Sequence, residues 1–336
     1  MATPRTKLAD LAEYVGLSTA TVSRVLNGRG GVRPATTERV IAAARALDYP
    51  RRLPEVHRGL LRIEVMLVRP ETTFFQRLSR AFERIGATLD PSVKVHRTFV
   101  DEDDPRAIAA RIASPELRRA GLILAVPDHP AIRAAIRAAV GAGLPVVHVV
   151  TRAGEGMGEL VSIDNYAAGR TAALFLARMQ DAAGTVLALA HPIYQVHRER
   201  IRGFSDYLAE HPRSGLSFRW IGFGRDDAER SSALLREALK TWPDLVGLYN
   251  AGGANSVLCE VLRRHPCGRK LFFVGHELTE RSAAALREGI MAVVLDQAPE
   301  AQARRAVDLL LSRIGLLEVA VDTAPIRFVT ITAESV

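Results

Sequence analysis

The sequence of 336 residues predicts a small all-α head followed by two doubly wound α/β lobes. In residues 8–27 the apolar positions recur every three to four residues, which indicates short amphipathic helices. Further along, short apolar runs alternate with helical segments rich in alanine, leucine and arginine, and this rhythm restarts near Asp164. Repeated strand–helix units form parallel sheets with crossover helices. We expect the head at 1–49, a linker at 50–61 and a two-lobed α/β region at 62–336.

The first helical pair has the organisation of a helix-turn-helix. Gly16 separates the two helical patterns, and Ser18 supplies the hydroxyl preferred at the first residue of a helix. The next residues, 19–23, are small and uncharged, although the protein is basic. A helix face that only meets solvent would be expected to carry stronger helix formers. This favours a face that lies in the major groove of DNA over an ordinary pair of bundle helices.

Two strings of residues resemble the DNA-binding head of the lactose-repressor (LacI/GalR) family. They are TVSRVLN at residues 21–27 and TTERVIAAARALDY at residues 36–49. The resemblance implies a DNA-contact set made of Lys7, Ser18, Thr19, Ala20, Thr21, Ser23, Arg24, Asn27, Arg33, Arg51, Arg52 and Val56.

The chemistry of these side chains divides their expected roles. The short side chains of Thr19 and Ala20 favour a thymine methyl contact or a single hydrogen bond, so they should set base preference. Arg24 is the one charged side chain on this helix and can reach guanine or phosphate. The polar side chains at Thr21, Ser23 and Asn27 suit phosphate oxygens, which fix the position on DNA without specifying sequence.

Two positions of the head depart from the family pattern. Lys7 stands where a hydroxyl residue commonly caps the first helix, and Arg33 stands where a serine usually precedes the third. Each missing cap is expected to cost about 0.5 to 2 kcal/mol of helix stability. Attraction of the added cations to phosphate would offset part of this cost when DNA is bound.

The linker also departs from the family. The resemblance implies a hinge helix that inserts an apolar side chain into the minor groove, but Pro54 restricts any such helix to the residues after it. Val56 or Leu60 is then the wedge. The alternative is an unfolded tether that makes only electrostatic contacts through Arg51 and Arg52.

The charge distribution points to a polyanionic partner. Residues 1–62 contain eleven Lys and Arg residues and five acidic residues, a net charge of +6, whereas the remaining chain carries +2. Concentrated positive charge neutralises phosphates, so double-stranded DNA is the expected partner.

Several function classes have no support in the sequence. The two cysteines, Cys259 and Cys267, lack metal-type spacing, and no catalytic motif, cofactor loop or hydrophobic leader is present. Residues 154–158, GEGMG, lack dinucleotide-loop spacing and are interpreted as a connection between the lobes. We expect a cytoplasmic protein that is not an enzyme, has no cofactor or metal and does not contact a membrane.

The two-lobed region should hold a ligand cleft. In doubly wound sheets, ligands bind beyond the carboxyl ends of the strands. The loops expected at the cleft follow Val68, Val126, Ala190, Tyr249, Gly275 and Asp296.

Four further strings resemble the effector domains of LacI-family regulators and of the related periplasmic sugar-binding proteins. They lie at residues 161–173, 198–204, 247–257 and 274–279. The resemblance implies a periplasmic-binding-protein-like fold and a sugar, polyol or sugar acid as effector. The polar contacts that it implies are Asp164, Arg198, Asn250, Glu277 and Gln297.

Adjacent aromatic residues add to this expected site. Phe74 and Phe75 resemble the stacking pair of ribose-type binding proteins, although adjacent helix positions point about 100 degrees apart and one ring could belong to the core. Glu277 replaces the usual aspartate, and Arg152 stands where sugar-binding relatives often carry an acid. If Arg152 faces the cleft it favours an anionic ligand; the alternative is a surface position.

Together these features predict a ligand-responsive repressor of a carbohydrate-utilisation operon that binds a pseudo-palindromic operator as a homodimer. The alternative is a sugar-processing enzyme or sugar-binding protein fused to a DNA-binding head. The effector, the operator sequence and the sign of regulation stay open at this point.

Overall fold

The structure is a computed structural model that describes residues 7–27, 32, 34–47, 49, 60–212 and 215–336. The described residues form two compact units, one within 1–61 together with 90–93 and one within 62–89 and 94–336. The expected DNA contacts at Arg33, Arg51, Arg52 and Val56 lie outside the described residues. None of the helices in the described ranges is both long and apolar enough to cross a membrane.

The head contains three helices around a small apolar core. They are α1 (Leu8–Val15), α2 (Thr19–Leu26) and α3 (Pro34–Ala46). Leu11, Val22 and Val40, one from each helix, are fully buried. Gly16 ends α1 with a φ of 63°, a left-handed conformation that glycine adopts without steric cost. The predicted pair of short helices hinged on Gly16 is confirmed.

The two helix starts in the head are stabilised differently. The Ser18 hydroxyl accepts a hydrogen bond from the Thr21 N–H at 3.2 Å, which confirms the predicted cap of α2. At the start of α1, the backbone N–H of Lys7 donates to Asp10 Oδ2 at 2.8 Å. An acidic side chain in the first turn also interacts favourably with the helix dipole. Asp10 therefore offsets part of the stability expected to be lost because Lys7 offers no acceptor.

The first lobe is built on a five-stranded sheet with the order β2-β1-β3-β4-β5. Its strands are β1 (Leu61–Leu67), β2 (Val93–Phe99), β3 (Gly121–Leu124), β4 (Val146–Val149) and β5 (Glu159–Val161). The pairings of β3 with β1, β3 with β4, and β4 with β5 are parallel. The helices that follow β1, β2 and β3 are α4 (Thr73–Thr88), α5 (Pro105–Ala113) and α6 (Pro130–Gly141).

The second lobe is built on a six-stranded sheet with the order β11-β10-β9-β8-β6-β7. Its strands are β6 (Gly184–Leu189), β7 (Leu216–Gly222), β8 (Leu245–Asn250), β9 (Phe272–His276), β10 (Val293–Asp296) and β11 (Val329–Ile331). Strand β10 pairs in parallel with β9, β9 with β8, β8 with β6 and β6 with β7, whereas β11 pairs antiparallel with β10. The helices associated with this lobe are α7 (Asn165–Met179), α8 (Gln195–Glu210), α9 (Ala228–Thr241), α10 (Asn255–Arg263) and α11 (Glu280–Arg287), with a short 3-10 helix at Ala333–Ser335.

The chain passes between the two lobes three times. It leaves the first lobe after β5, returns after β10 through α12 (Pro299–Arg313), which packs on α4 and the first sheet, and crosses back to β11. Residues 154–158 join β4 to β5 within the first sheet, so their interpretation as the lobe connection is wrong. The sequence missed β5 because it is only three residues long, and periodicity is not visible in so short a strand.

Both sheets reverse their strand order at one point, which locates the cleft. The reversal lies between β1 and β3 in the first sheet and between β6 and β8 in the second. Ligands of doubly wound sheets bind beyond the carboxyl ends of the strands at such points. The loops after β1, β6 and β8 are therefore placed to form a site.

Helices α7 and α8 approach each other closely through two glycines. A Cβ atom on Gly169 would overlap the carbonyl oxygen of Arg200, and one on Gly203 would overlap the carbonyl oxygen of Tyr166. This contact positions the backbone of α8 at Arg200, whose side chain reaches the cleft.

We expect Gly169→Ala to destabilise the α/β region by at least about 1 to 3 kcal/mol, because the added methyl group meets backbone and not a movable side chain. Gly141→Ala at the end of α6 is the matched control, since no atom lies within 4 Å of its Cβ position. Urea denaturation of both variants measures the difference. Equal stability of the two would contradict the close packing of α7 on α8.

Candidate functional site

A cavity of about 70 Å³ lies between the lobes at the ends of the strands, and we call it the inner cavity. The first lobe contributes Arg69, Thr72, Phe74, Phe75, Val150 and Thr151. The second contributes Tyr194, Val196, His197, Arg200, Asp226, Gly252, Gly253, His276, Glu277 and Gln297. Aromatic rings and a few buried polar groups together are typical of a small-molecule site.

The aromatic part of the inner cavity comes from both lobes. Phe74 and Phe75 begin α4 and form an edge-to-face pair with ring centroids 5.3 Å apart. Both rings line the cavity, and Phe75 is also nearly buried. From the second lobe, Tyr194 and His197 present further rings, with centroids 5.9 Å apart. Flat apolar faces of this kind pack against the C–H face of a sugar ring.

In the second lobe, Arg200 and not Arg198 lines the inner cavity with its guanidinium. Arg198 is exposed, and its guanidinium donates to the carbonyl oxygen of Pro192 at 2.7 Å. Two residues further along α8 correspond to a rotation of about 200 degrees, so Arg200 points to the opposite face, where it is fully buried. The structure thus places Arg198 outside the cavity lining. The string RERIRGF contains four charged candidates, and only packing distinguishes them.

Arg200 connects three separate parts of the chain. Its Nε donates to Asn165 Oδ1 at 2.8 Å, its Nη1 to the Ala251 carbonyl oxygen at 2.7 Å and its Nη2 to Gln297 Oε1 at 2.5 Å. Among the described residues, no carboxylate lies within ion-pair distance of it. Burial lowers the pKa of this guanidinium.

Two other expected contacts also lie outside the cavity lining. Asp164 is exposed and caps α7, where its carboxylate accepts from the Ala167 N–H at 2.8 Å. The next residue, Asn165, is buried and bonds Arg200 instead. Asn250 is buried behind the cavity wall, where its amide donates to the Gly252 carbonyl oxygen at 3.3 Å. Its role here is to shape a loop that lines the cavity.

Arg152 is likewise absent from the residues that line the inner cavity. The structure therefore gives no support for an anionic ligand held by this side chain.

Glu277 and Gln297 do line the inner cavity, and they bond each other. The Gln297 amide donates to Glu277 Oε1, while its own oxygen accepts from Arg200. Burial and the nearby Asp296 carboxylate raise the pKa of Glu277 to about 8. Within the described part of the chain Glu277 Oε2 has no hydrogen-bond partner, and Arg77 Nη1 lies 3.6 Å from it. Burial therefore favours the neutral form of Glu277, and the Arg77 guanidinium is the charged group beside Oε2.

Charged side chains link the two lobes around the inner cavity. Arg69 Nη1 lies 3.3 Å from Asp226 Oδ2 in the second lobe, and Arg77 Nη1 lies 2.5 Å from Asp296 Oδ2. Burial alone would raise the pKa of Asp226, but His197 and Arg69 lower it below its usual value. Tyr194 also donates its hydroxyl to Glu102 of the first lobe. The lobes are thus in a closed arrangement joined by ion pairs and hydrogen bonds.

Backbone strain concentrates at the same strand ends. In the described ranges, seven residues other than glycine have a positive φ, and each lies within four positions after a strand. They are Arg69, Val150, Arg225, Asp226, Ala254, Glu277 and Ala298. Such conformations cost of the order of 1 to 3 kcal/mol each and persist where the surrounding structure imposes them. Their clustering supports this end of the sheets as the functional end.

Besides Arg200, several polar residues line the inner cavity without having been among the predicted contacts, and they include Arg69, Tyr194, His197 and Asp226. A signal for them existed. The loops after Val68 and Ala190 were expected at the cleft, and Arg69 and Tyr194 are polar residues in those loops. Asp226 follows β7, whose carboxyl end was not among the loops expected there.

In the head, the described DNA-contact candidates form one exposed face. Ser18, Thr19, Ala20, Arg24 and Asn27 are exposed, as is Lys7, while Thr21 and Ser23 are half-buried. Two of the polar groups also bond within the helix: Asn27 Nδ2 donates to the Ser23 carbonyl oxygen at 2.7 Å, and the Ser18 and Thr21 hydroxyls lie 2.8 Å apart. Among the described DNA-contact candidates, the side chains of Lys7, Thr19, Ala20 and Arg24 have no such internal bond.

The described residues contain no group of three or more His, Cys, Asp or Glu side chains that could hold a metal ion.

Two family models match this chain. Residues 7–51 match bacterial regulatory proteins of the lacI family. Residues 63–315 match the periplasmic binding protein domain. The chain belongs to the periplasmic binding protein domain family, whose model matches most of it, and its residues 7–51 form a lacI-family domain. The predicted resemblance and the predicted fold class are therefore confirmed.

Individual proteins agree with this assignment. The HTH-type transcriptional regulator reg1 of Streptomyces lividans is 44% identical over 91 residues, which are 25% of this chain and 25% of that protein. The sucrose operon repressor of Klebsiella pneumoniae is 44% identical over 80 residues, 22% of this chain and 23% of that protein. The matched stretches thus span about a quarter of these curated relatives.

A solved structure extends the similarity to the two lobes. A periplasmic solute-binding protein of an ABC transporter from Actinobacillus succinogenes 130z, with bound D-allose, superposes with a TM-score of 0.71. The superposition covers 82% of this chain and 98% of the solute-binding protein, and the two sequences are 18% identical. At that identity the similarity establishes the fold alone.

The protonation of Glu277 gives a pH prediction. Its folded-state pKa of about 8 lies above the ordinary value of 4.5, so the folded protein binds the extra proton between these pH values. Its contribution to stability is fully present below about pH 4.5 and is lost as the pH rises through about 8. We expect Glu277→Gln to flatten the fall in melting temperature between pH 5 and pH 8.5, with the largest gain over the parent at the alkaline end.

The exposed Glu237→Gln substitution in α9 is the control and should leave the pH profile unchanged. Identical pH profiles for the parent and Glu277→Gln would show that Glu277 is already ionised at neutral pH.

Proposed function

We propose that this protein is a ligand-responsive, DNA-binding transcriptional regulator that represses genes for carbohydrate use. The observation that carries this proposal is the combination, in one chain, of an exposed helix-turn-helix face and a two-lobed domain with an aromatic, hydrogen-bonding cavity. The first suits the major groove of DNA. The second suits a small polyhydroxylated ligand.

On the DNA side, α2 supplies the specificity. Thr19 and Ala20, exposed at its first turn, select bases through methyl contacts and single hydrogen bonds, and Arg24 adds the stronger contact to guanine or phosphate. The phosphate contacts are assigned to the surrounding polar and basic side chains. They raise affinity without adding sequence information and make binding dependent on salt.

The protein acts as a homodimer on a pseudo-palindromic operator. A single helix-turn-helix contacts only a few base pairs, which gives little discrimination against the many other sites on a chromosome. Two heads related by a two-fold axis read two half-sites, so the operator mirrors the symmetry of the protein.

On the ligand side, a sugar, polyol or sugar acid lies in the inner cavity. The rings of Phe74 and Phe75 pack against its C–H face, while Arg200 and Gln297 bond its hydroxyl groups. Glu277, held in its neutral form by burial, donates to a ligand oxygen. The cross-lobe ion pairs of Arg69 and Arg77 favour the closed arrangement.

Ligand and operator influence each other through the equilibrium between arrangements of the lobes. A ligand shifts that equilibrium by the difference in its affinity for the two forms, and the effect on DNA affinity is reciprocal. The repressing direction is proposed by analogy with the relative named as the sucrose operon repressor.

Binding-site selection from a random DNA library tests the DNA function. We expect a symmetric motif, because two heads read equivalent half-sites. Arg24→Ala should abolish specific binding, and substitutions at Thr19 and Ala20 should change the selected bases. Arg202→Ala, which removes an exposed arginine of α8, is the matched control and should leave the motif intact. If the full-length protein selects no symmetric motif, the proposed DNA function is wrong.

A thermal-shift screen of sugars, polyols and sugar acids, followed by calorimetric titration of each hit, tests the ligand function. A ligand that binds only the folded state raises the melting temperature. We expect Arg200→Lys to weaken binding about tenfold to a hundredfold, the equivalent of about 1.5 to 3 kcal/mol for hydrogen bonds of a charged group. Arg198→Ala, two residues away and exposed, should bind as the parent does.

Phe74→Ala is a second test variant. Phe74 lines the cavity but takes no part in the buried hydrogen-bond network of Arg200. Parental affinity in both Arg200→Lys and Phe74→Ala would show that the ligand binds elsewhere. If no compound in the panel binds, the carbohydrate-responsive function is wrong.

A further inference from the structure

A second, larger cavity opens between the same two lobes beside the inner cavity. Its volume is about 770 Å³, and we call it the outer cavity. The first lobe contributes Phe99 and Asp103, and the second contributes Arg225 and Arg230. Arg69 lines both cavities, so the two are neighbours along the cleft.

The outer cavity carries an apolar ring in a polar setting. Phe99 is the last residue of β2, and 41% of its surface is exposed, which is unusual for a large aromatic residue at a strand end. Across the cleft, Arg225 Nη2 donates to Asp103 Oδ1 at 3.2 Å. The Arg230 guanidinium has no hydrogen bond or ion pair among the described residues. Proteins recognise sugars with an aromatic ring that stacks on the sugar and with hydrogen-bond donors beside that ring, and Phe99 and Arg230 supply these two features.

A buried histidine gives a second, independent indication of a ligand. His191 lines the outer cavity and is fully buried, its Nε2 faces the Glu102 carboxylate, and its Nδ1 has no hydrogen-bond partner in the described part of the chain. Its Nε2 lies 3.5 Å from Glu102 Oε1. Buried polar atoms in folded proteins nearly always have a partner, and those without one need an explanation. A ligand hydroxyl can both donate to and accept from an imidazole.

The charges of the outer cavity limit the class of ligand. Five carboxylates, those of Glu71, Asp101, Glu102, Asp103 and Asp227, face three guanidiniums. This excess of negative charge repels phosphate or carboxylate groups. A neutral polyhydroxylated ring fits, since its hydroxyls bond both carboxylates and guanidiniums.

We propose that the outer cavity binds a second sugar ring and that the effector is a neutral disaccharide or longer oligosaccharide. This inference rests on the proposed function and specifies its ligand. One ring lies in the inner cavity, and the next stacks on Phe99 with its hydroxyls toward Arg230 and His191. Arg69, which lines both cavities, lies between the two rings.

Calorimetric titration with matched mono- and oligosaccharides tests the inference. The monosaccharides are D-glucose, D-galactose and D-fructose, and the longer ligands are maltose, cellobiose, lactose, sucrose and maltotriose. We expect the tightest ligand to have at least two rings. Phe99→Ala should weaken it about threefold to tenfold, the range for loss of a stacking contact, and leave its component monosaccharide unaffected.

Two control variants accompany this titration. Phe223→Ala removes a phenylalanine that is 48% exposed but lines neither cavity, and it should not change the affinity for any ligand. Arg230→Gln should weaken the longer ligand, again without effect on the monosaccharide.

The outcomes separate this inference from the proposed function. The proposed second-ring site is wrong if a monosaccharide binds as tightly as every longer ligand. It is also wrong if Phe99→Ala weakens the binding of monosaccharides and longer ligands equally. Neither result would contradict sugar binding in the inner cavity. If no carbohydrate binds, both fail.

Discussion

The buried guanidinium of Arg200 organises the ligand end of the two-lobed domain. It has no carboxylate within ion-pair distance in the described residues, so its hydrogen bonds to Asn165, Ala251 and Gln297 replace the water that it lost. A buried charge without such bonds would cost several kcal/mol. Those three partners lie on the start of α7, after β8 and after β10, and each is therefore held relative to the others. The close approach of α7 and α8 at Gly169 and Gly203 places the backbone that carries this side chain.

From Arg200 the network continues toward the cavity. Gln297, which accepts from Arg200, donates in turn to Glu277 and so fixes the position of that side chain. The backbone of Glu277 is itself strained, with a φ of 72°. Because Glu277 is buried beside Asp296, it takes up a proton instead of a second negative charge, and a carboxyl group becomes a hydrogen-bond donor at neutral pH. The same Asp296 binds Arg77 of the first lobe. The ligand cavity and the closure of the lobes therefore share side chains, which is the physical basis for coupling one to the other.

Much of the fold was predictable because it depends on short-range patterns. The strands of both sheets were visible as apolar runs, and the caps and hinge of the first two helices followed from Ser18 and Gly16. The exceptions are informative. The strand β5 is too short to show a period, and Asp10 compensates for Lys7 through a contact that composition does not reveal. Phe74, Phe75, Glu277 and Gln297 line the cavity beside strand ends, whereas Asp164, Arg198 and Asn250 do not line it.

The sequence by itself determined the family resemblance, the order of the head and the two-lobed region, and five of the loops at the cleft, because motifs, helix caps and strand periodicity are properties of neighbouring residues. The expected loop after Val126 lines neither cavity, and the loops after β2, β4 and β7 were not predicted. Only the tertiary structure decided which side chains enter the cavity. Asp164 and Asn165 differ by one position and Arg198 and Arg200 by two, yet in each pair one residue is exposed and the other buried. That difference depends on how a helix is rotated against its neighbours, and the rotation is set by contacts such as Gly169 with Arg200 that join residues distant in the chain.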